Sequence, residues 1–322
     1  MNARERSLAA MHNQPVDRPP VSFWQHAGAD EQRGKASVEM HLRFMRETGV
    51  DFLKVMNDGY RAPFDTESIK TADDWYRLRP AYDKNPYIAE MLSRTRAIVD
   101  AVGSEVLVQL NIFAPLSLIR RVGDSMLMAH IEEDPDAVKH ALQVIADEQA
   151  YLAREAVHTA GADGCVVCFQ GAELNRFSAV DFDTYVRPYD MQVLNAANSV
   201  SDNNIVHFCG WDEWKNRFSC WRNYPARTVN WAIYVDGMDL VRGRDYFGGR
   251  AVMGGFDNRR KGLLQSENKR VVQEETRRIV SDYVEATGST NGLLISADCS
   301  FPPSMDRQRF VWVREALEDA AR

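Results

Sequence analysis

Short runs of apolar and β-branched residues alternate along the chain with longer stretches whose apolar positions recur at helical spacing. Eight such runs stand out, at 21–24, 51–55, 106–112, 164–169, 204–208, 228–231, 251–253 and 293–296. Between them lie helical patterns ending at Thr48-Gly49, over 91–102 with Gly103 after it, over 135–159 and over 182–199. Asp134-Pro135 and Ser304 read as helix starts, the proline standing where its missing N–H does no harm. The first residues, Met1 to Arg6, lead into a short amphipathic helix. Strands that alternate with helices imply parallel strands joined by crossovers. Eight units in this length predict an α/β fold, a closed (β/α)8 TIM barrel. The alternative is an open doubly wound sheet, which would usually carry a glycine fingerprint after its first strand; none is present. The stretch 211–225, rich in aromatics and charge, reads as a short helix and loop over the barrel mouth.

Composition narrows this picture. The chain has 322 residues, 45% hydrophobic, with no repeat, low-complexity tract or linker, so one domain over 1–322 with a short N-terminal helical extension is expected. The net charge is -7 and no basic block occurs, which argues against nucleic-acid binding, because such affinity rests on neutralising phosphates. The start lacks the apolar core of a signal peptide and no stretch approaches the length of a membrane span, so a cytoplasmic protein away from membranes is expected. Its five cysteines are then reduced, and they raise the question of metal binding or catalysis.

A barrel of this kind places its chemistry at the C-terminal ends of the strands. The residues there are Trp24-Gln25-His26, Asn57-Asp58, Asn111, 168–170, 207–209, Asn230-Trp231, Gly254-Gly255 and Asp298-Cys299, a set rich in polar and metal-binding side chains. In Val206-His207-Phe208-Cys209-Gly210, extended chain points His207 and Cys209 to the same side. Cys299 ends the eighth run and can overlook the same pocket. One imidazole and two thiolates suit zinc, with Zn–S near about 2.3 Å and Zn–N near about 2.0–2.1 Å, and three protein ligands leave a position for an outside ligand. The alternative is that each is an ordinary buried residue.

Other candidates carry less information. Glu173 is a candidate fourth ligand, with Asp298 as the other choice; a surface charge is the alternative for Glu173. Asp58 faces the mouth as a candidate catalytic acid or base, or else closes an Asx turn with Gly59. His26, Asn57, Gln170 and Asn230 are candidate substrate-binding residues for a small molecule. Cys165 and Cys168 lie three apart in one strand run, so they face opposite sides and cannot easily share a metal. Cys220 beside Trp221 reads as packing. Gly254-Gly255 marks a close approach to a ligand or a tight turn, and the residues alone do not choose.

Seven segments stand in order: Glu5-Arg6-Ser7-Leu8-Ala9-Ala10, Pro15-Val16-Asp17-Arg18-Pro19-Pro20, Gly161-Ala162-Asp163-Gly164, Arg187-Pro188-Tyr189-Asp190, Val229-Asn230-Trp231, Val252-Met253-Gly254-Gly255 and Asp298-Cys299-Ser300-Phe301-Pro302-Pro303. With them the chain resembles the uroporphyrinogen decarboxylase superfamily over nearly its whole length, and the resemblance implies a (β/α)8 barrel. The decarboxylases of that superfamily carry an arginine-rich stretch after the first strand and an aspartate after the second. Here 23–30 lacks the paired arginines, while Asp58 sits where the aspartate would. The corrinoid methyltransferase branch carries His-x-Cys and a distant Cys that bind zinc, and His207, Cys209 and Cys299 match it.

That match implies a zinc-dependent methyltransferase, moving a methyl group between a corrinoid such as methylcobalamin and a small acceptor, a thiol. The family resemblance also implies a homodimer, and the acidic balance of the chain fits docking to a separate corrinoid protein. A thiol of pKa about 8.5 is only about 3% ionised at pH 7, and zinc coordination deprotonates it. A hydrolytic zinc site would instead use bound water and a general base. The rival readings are a cofactor-free decarboxylase or lyase using Asp58, and a non-catalytic barrel that binds a corrinoid or tetrapyrrole.

Overall fold

The structure, a computed structural model, describes residues 1–210 and 213–320. Seven parallel strands form one sheet in chain order: β1 (Phe52–Val55), β2 (Leu107–Phe113), β3 (Gly164–Phe169), β4 (Ile205–Phe208), β5 (Thr228–Trp231), β6 (Ala251–Phe256) and β7 (Leu293–Ala297). The ends of the sheet meet through an extended segment before β1. Ile295 N donates to Pro20 O (2.8 Å), Ser22 N to Ile295 O (3.1 Å) and Asp51 N to Val21 O (2.8 Å). This is the expected (β/α)8 barrel, with a correction at the first predicted strand. Residues 21–24 make single bridges, Val21 with Ile295 and Gln25 with Phe301, in place of a regular strand. Pro19 and Pro20 have no N–H to give, and the Val21 N–H goes to the Asp51 side chain (2.8 Å).

Alternation along the strands builds two apolar layers. Cys165, Val167 and Phe169 join the large core between sheet and helices, whereas Val166 and Cys168 join a smaller cluster with Phe52, Leu107, Ile205 and Ala251 inside the barrel. The Cys165–Cys168 pair is therefore split between layers, as the spacing predicts. Ala10 and Met11 of the first helix (Ala3–Met11) belong to the inner cluster and cap the N-terminal end of the barrel. That helix also buries Arg6 and Ser7, so its seat is ionic as well as apolar. Cys220 packs buried among the outer aromatic residues.

Two predicted helices are redrawn. The pattern over 182–199 breaks at Val186 into Ala179–Tyr185 and Arg187–Asn198, because Pro188 cannot continue the ladder. The last helix spans Gln308–Ala320, with Gln308 N donating to Asp306 Oδ1 (3.0 Å), so Ser304 does not start it. Asp134 does cap the helix Pro135–His158, accepting from Asp136 N and Ala137 N. Gly254 and Gly255 lie within β6 at φ 155° and 121°. A Cβ on Gly254 would stand 2.7 Å from Ile233, and one on Gly255 3.1 Å from Ile279. The glycines thus admit neighbouring protein, not a ligand. Trp211 and Asp212 lie outside the described residues. Phe218–Cys220 form a 3-10 turn, and the segment pairs with the loop after β3 through Leu174 N to Lys215 O (2.9 Å) and Arg217 N to Ala172 O (2.8 Å). No helix among the described residues is long and apolar enough to cross a membrane.

Candidate metal centre

β4 ends in His207-Phe208 with Cys209 just after it, and Cys299 lies two residues beyond β7. Backbone bonds hold both ends: Cys209 N donates to Phe169 O (3.1 Å) and Asp298 N to Phe256 O (2.9 Å). The donor atoms of His207, Cys209 and Cys299 all lie within 4.8 Å of one another. His207 Nε2 is 3.7 Å from Cys299 Sγ. In tetrahedral zinc geometry, neighbouring N and S donors stand about 3.5–3.8 Å apart, from the usual bond lengths. The trio fits a zinc ion.

The ring of His207 is set by its neighbours. Asn230, directly opposite in the register, donates from Nδ2 to Met253 O (2.8 Å) and Ala297 O (3.1 Å). Its Oδ1 therefore faces His207 Nδ1 at 2.5 Å, which must carry the proton. Nε2 is left with a free lone pair on the side of the sulfurs. Trp24 packs edge-on against the same ring, centroids 5.3 Å apart.

The two thiols interact strongly. A hydrogen bond from Cys209 pulls Cys299 well below the ordinary thiol range against the effect of burial, with help from the Lys54 charge. The same contact, with burial, pushes Cys209 up. The pair favours holding one proton between two sulfurs, the electron-rich arrangement that a soft cation can replace. Beneath it lies the buried Lys54 on β1, its Nζ 3.7 Å from the Trp24 ring centroid and 3.9 Å from Cys168 Sγ. Burial pushes the Cys168 thiol up to about 11, with Lys54 opposing.

Asp58 accepts from the His26 ring at Oδ1 (2.8 Å) and from Ala27 N at Oδ2 (2.8 Å). Burial alone would raise its carboxyl; the His26 hydrogen bond and charge, with the Ala27 N–H, bring it below the usual range. The other ring nitrogen of His26 meets Ser300 Oγ at 2.8 Å. Gln170 contacts Cys209 and accepts from Arg120 Nη1 (2.8 Å). It also lines a cavity of about 310 Å³ walled by Arg61, Arg120 and Arg121. A larger cleft of about 430 Å³ lies outside the barrel, against the helices Leu240–Tyr246 and Lys269–Thr287, and contains none of the three donors.

Three candidates stand elsewhere than expected. Glu173 is buried but pairs with Arg120 (3.3 Å) and Arg176 (3.7 Å) and accepts from Gly171 N (2.9 Å), outside the donor cluster. Asn57 is buried in a network with Tyr87 OH (2.8 Å), Asn111 O (2.8 Å) and the Asn111 amide. Asn230 is fully buried and serves His207 in place of a substrate. Asp298 accepts from Tyr234 N (2.8 Å), and burial raises its carboxyl well above the usual range. Sequence reasoning missed Ser300 and Lys54. The lysine within the apolar run Phe52-Leu53-Lys54-Val55 was the available signal for the second.

The family described as uroporphyrinogen decarboxylase (URO-D) matches residues 46–319. A protein of Methanosarcina mazei named methylcobamide:CoM methyltransferase MtbA is 21% identical over 242 residues, covering 64% of this chain and 70% of that protein. Among solved structures, a methyltransferase from Methanosarcina mazei superposes with a TM-score of 0.76 at 14% identity, covering all of both chains. A B12-independent methionine synthase from Shewanella sp. W3-18-1, in complex with selenomethionine, gives 0.62 at 12% identity, covering 94% of this chain and 96% of its own. At these identities the two structures speak for the barrel fold.

Proposed function

The chain belongs to the uroporphyrinogen decarboxylase family, and on that premise we propose that it is a zinc-dependent methyltransferase moving a methyl group between a corrinoid and a small thiol. The carrying observation is the convergence of His207, Cys209 and Cys299 within 4.8 Å at two strand ends. The distant relationship to a methylcobamide:CoM methyltransferase supports a methylcobamide as the methyl carrier. Zinc, held by these three residues, would keep an acceptor thiol as its nucleophilic thiolate at neutral pH.

The protein's own groups suit that task. Two thiolates offset the charge of a divalent ion, so a third sulfur keeps its electron density. Asn230 presents His207 Nε2 to the centre. The cavity beside Gln170, lined by Arg61, Arg120, Arg121 and Asp124, supplies a polar approach for a small molecule. A decarboxylase would need Asp58 facing substrate, whereas both oxygens of Asp58 are engaged by His26 and Ala27. A separate corrinoid protein as methyl carrier and a homodimer belong to the same reading.

The test is zinc content of the purified protein beside Cys209→Ser and Cys299→Ser, followed by thiol-dependent demethylation of methylcobalamin. The expected result is about one zinc per wild-type chain from this three-ligand set, lost in both folded variants, with demethylation in wild type alone. A wild type that takes up no zinc under reducing conditions overturns the reading.

A further inference from the structure

Beside the three donors, a continuous chain of hydrogen bonds runs from a carboxylate to the residue after Cys299. Asp58 Oδ1 meets His26 Nδ1 at 2.8 Å, His26 Nε2 meets Ser300 Oγ at 2.8 Å, and Ser300 Oγ lies 3.9 Å from Cys299 Sγ. An ionised carboxylate only accepts, so Nδ1 carries the proton and Nε2 is the acceptor for the Ser300 hydroxyl. The arrangement is held from behind. His26 N donates to Phe301 O (2.9 Å) and Phe301 N to Trp24 O (2.8 Å), which fixes segment 24–26 against 300–301. Gln25 adds bonds to Met305 O (2.8 Å) and from Arg307 Nε (2.8 Å). The Asp58 side chain is mostly covered, while the His26 side chain is 47% exposed. One end of the chain thus abuts the candidate centre, and its imidazole reaches solvent.

We infer that Asp58, His26 and Ser300 form a proton relay that removes the proton of a thiol arriving beside Cys299 and stores it on the His26 imidazole. The inference rests on the thiol acceptor of the methyl-transfer reading and adds the base that reading lacks. The thiol S–H bond breaks and sulfur keeps the electron pair. Its proton goes to Ser300 Oγ as the Ser300 hydroxyl proton goes to His26 Nε2. Asp58 stays ionised, a positioning residue that holds the ring and stabilises the imidazolium, as in other carboxylate–imidazole–hydroxyl chains. His26 holds the proton as the imidazolium and returns it through Ser300 when the thiol leaves. The alternative is that the same bonds only tie two loops together. The two roles differ in one respect: a relay matters for a thiol that arrives protonated and is idle for one that arrives as thiolate.

The test uses the full chain loaded with cobalt(II), whose sulfur-to-metal absorption reports thiolate formation without any methyl donor. Wild type, His26→Gln and Ser300→Ala are mixed with 2-mercaptoethanol, protonated at neutral pH, and with pentafluorothiophenol, already a thiolate. The relay predicts that both variants slow the first thiol about 10²-fold and the second less than about 2-fold, the range of general-base assistance. Equal slowing of both thiols, or no slowing, overturns it. Methylcobalamin demethylation, measured alongside, separates the two ideas. Acidity-dependent slowing without wild-type demethylation leaves the relay and sinks methyl transfer; demethylation without acidity-dependent slowing sinks the relay alone. A wild type that takes up no cobalt overturns both.

Discussion

Asn230 Oδ1 lies 2.5 Å from His207 Nδ1, while the amide nitrogen of the same side chain is committed to two backbone carbonyls. One buried side chain therefore fixes both the tautomer and the aim of the imidazole. Replacing it by leucine leaves the ring free to turn and two carbonyls without their donor. Outer groups of this kind typically contribute about 10–100-fold to metal affinity. Asn230→Leu is expected to weaken zinc binding by that factor and to destabilise the fold by about 1–3 kcal/mol. Competition against a chromophoric chelator, beside urea unfolding, reads both quantities. A folded variant with wild-type zinc affinity would place the control of His207 elsewhere.

At the other end of the barrel, Asp51 holds the closing segment in place. Its carboxylate accepts from Arg6 (2.6 Å), Arg18 (2.7 and 3.1 Å) and Val21 N (2.8 Å), and it is almost wholly buried. Removing the acid leaves Arg18 in the interior with only a long pair to Glu318 (3.9 Å), while Arg6 keeps its pair with Asp17 (2.7 Å). Asp51→Ala is expected to lose about 3–5 kcal/mol, the usual effect of breaking a buried ion pair from one side. Because Asp51 precedes β1, far from the strand ends that carry the donors, zinc per folded chain should not change. Urea denaturation with elemental analysis of the folded fraction checks this, and a loss below about 1 kcal/mol would mean that solvent reaches the pair.

The sequence pattern made some of this legible and hid the rest for identifiable reasons. β3 and β5 fall on the predicted runs, and the others differ by one residue at one end, in β2 at both ends, or in β6 by three. Periodic apolar residues bounded by helices leave little choice of register there. β6 runs on through Gly254-Gly255 because a parallel ladder to Ile295 and Ser296 continues past the glycines. The His207 and Cys209 pairing was readable from the two-residue period of a strand, since it is local. The partners of Asn230, Asn57 and Glu173 were not: a polar residue at a strand end looks the same whether it faces a ligand or another side chain. Ser300 was invisible for the same reason, as its partner His26 lies 274 positions away.

Lys54 supplies a second relationship with a measurable consequence. A buried ammonium on the face of Trp24, near Cys168, is expensive to keep dry, yet its charge helps to hold Cys299 as a thiolate. Lys54→Met fills similar space without charge. It is expected to stabilise the metal-free fold by about 1–3 kcal/mol, as charge-to-apolar replacements in cores often do. It should also slow iodoacetamide alkylation of Cys299 in the metal-free protein at pH 7. Faster or unchanged alkylation would show that the field of this lysine does not reach the sulfur.

The acid limb of stability has its own contributor in His41. The ring donates from Nδ1 to Ser37 O (2.7 Å) and accepts the Met56 N–H at Nε2 (2.9 Å), tying the helix Gly34–Thr48 to the end of β1. Burial lowers its pKa from 6.5 to about 4, with the nearby Arg94 acting in the same direction and the Ser37 carbonyl and Asp58 opposing. Because the folded value lies below the unfolded one, the unfolded chain takes up a proton first as pH falls. The stabilisation is complete above pH 6.5 and is lost progressively as pH falls toward about 4. Across that window the loss amounts to about 3 kcal/mol at most, at 1.36 kcal/mol per unit. His41→Gln can still accept from Met56 N and cannot titrate, so its stability should be lower at pH 7 and flatter between the two pH values. Urea unfolding of both proteins at half-unit steps from pH 7 to 4 measures the difference in slope. Parallel curves would mean that His41 is protonated in the folded protein as readily as in the unfolded one.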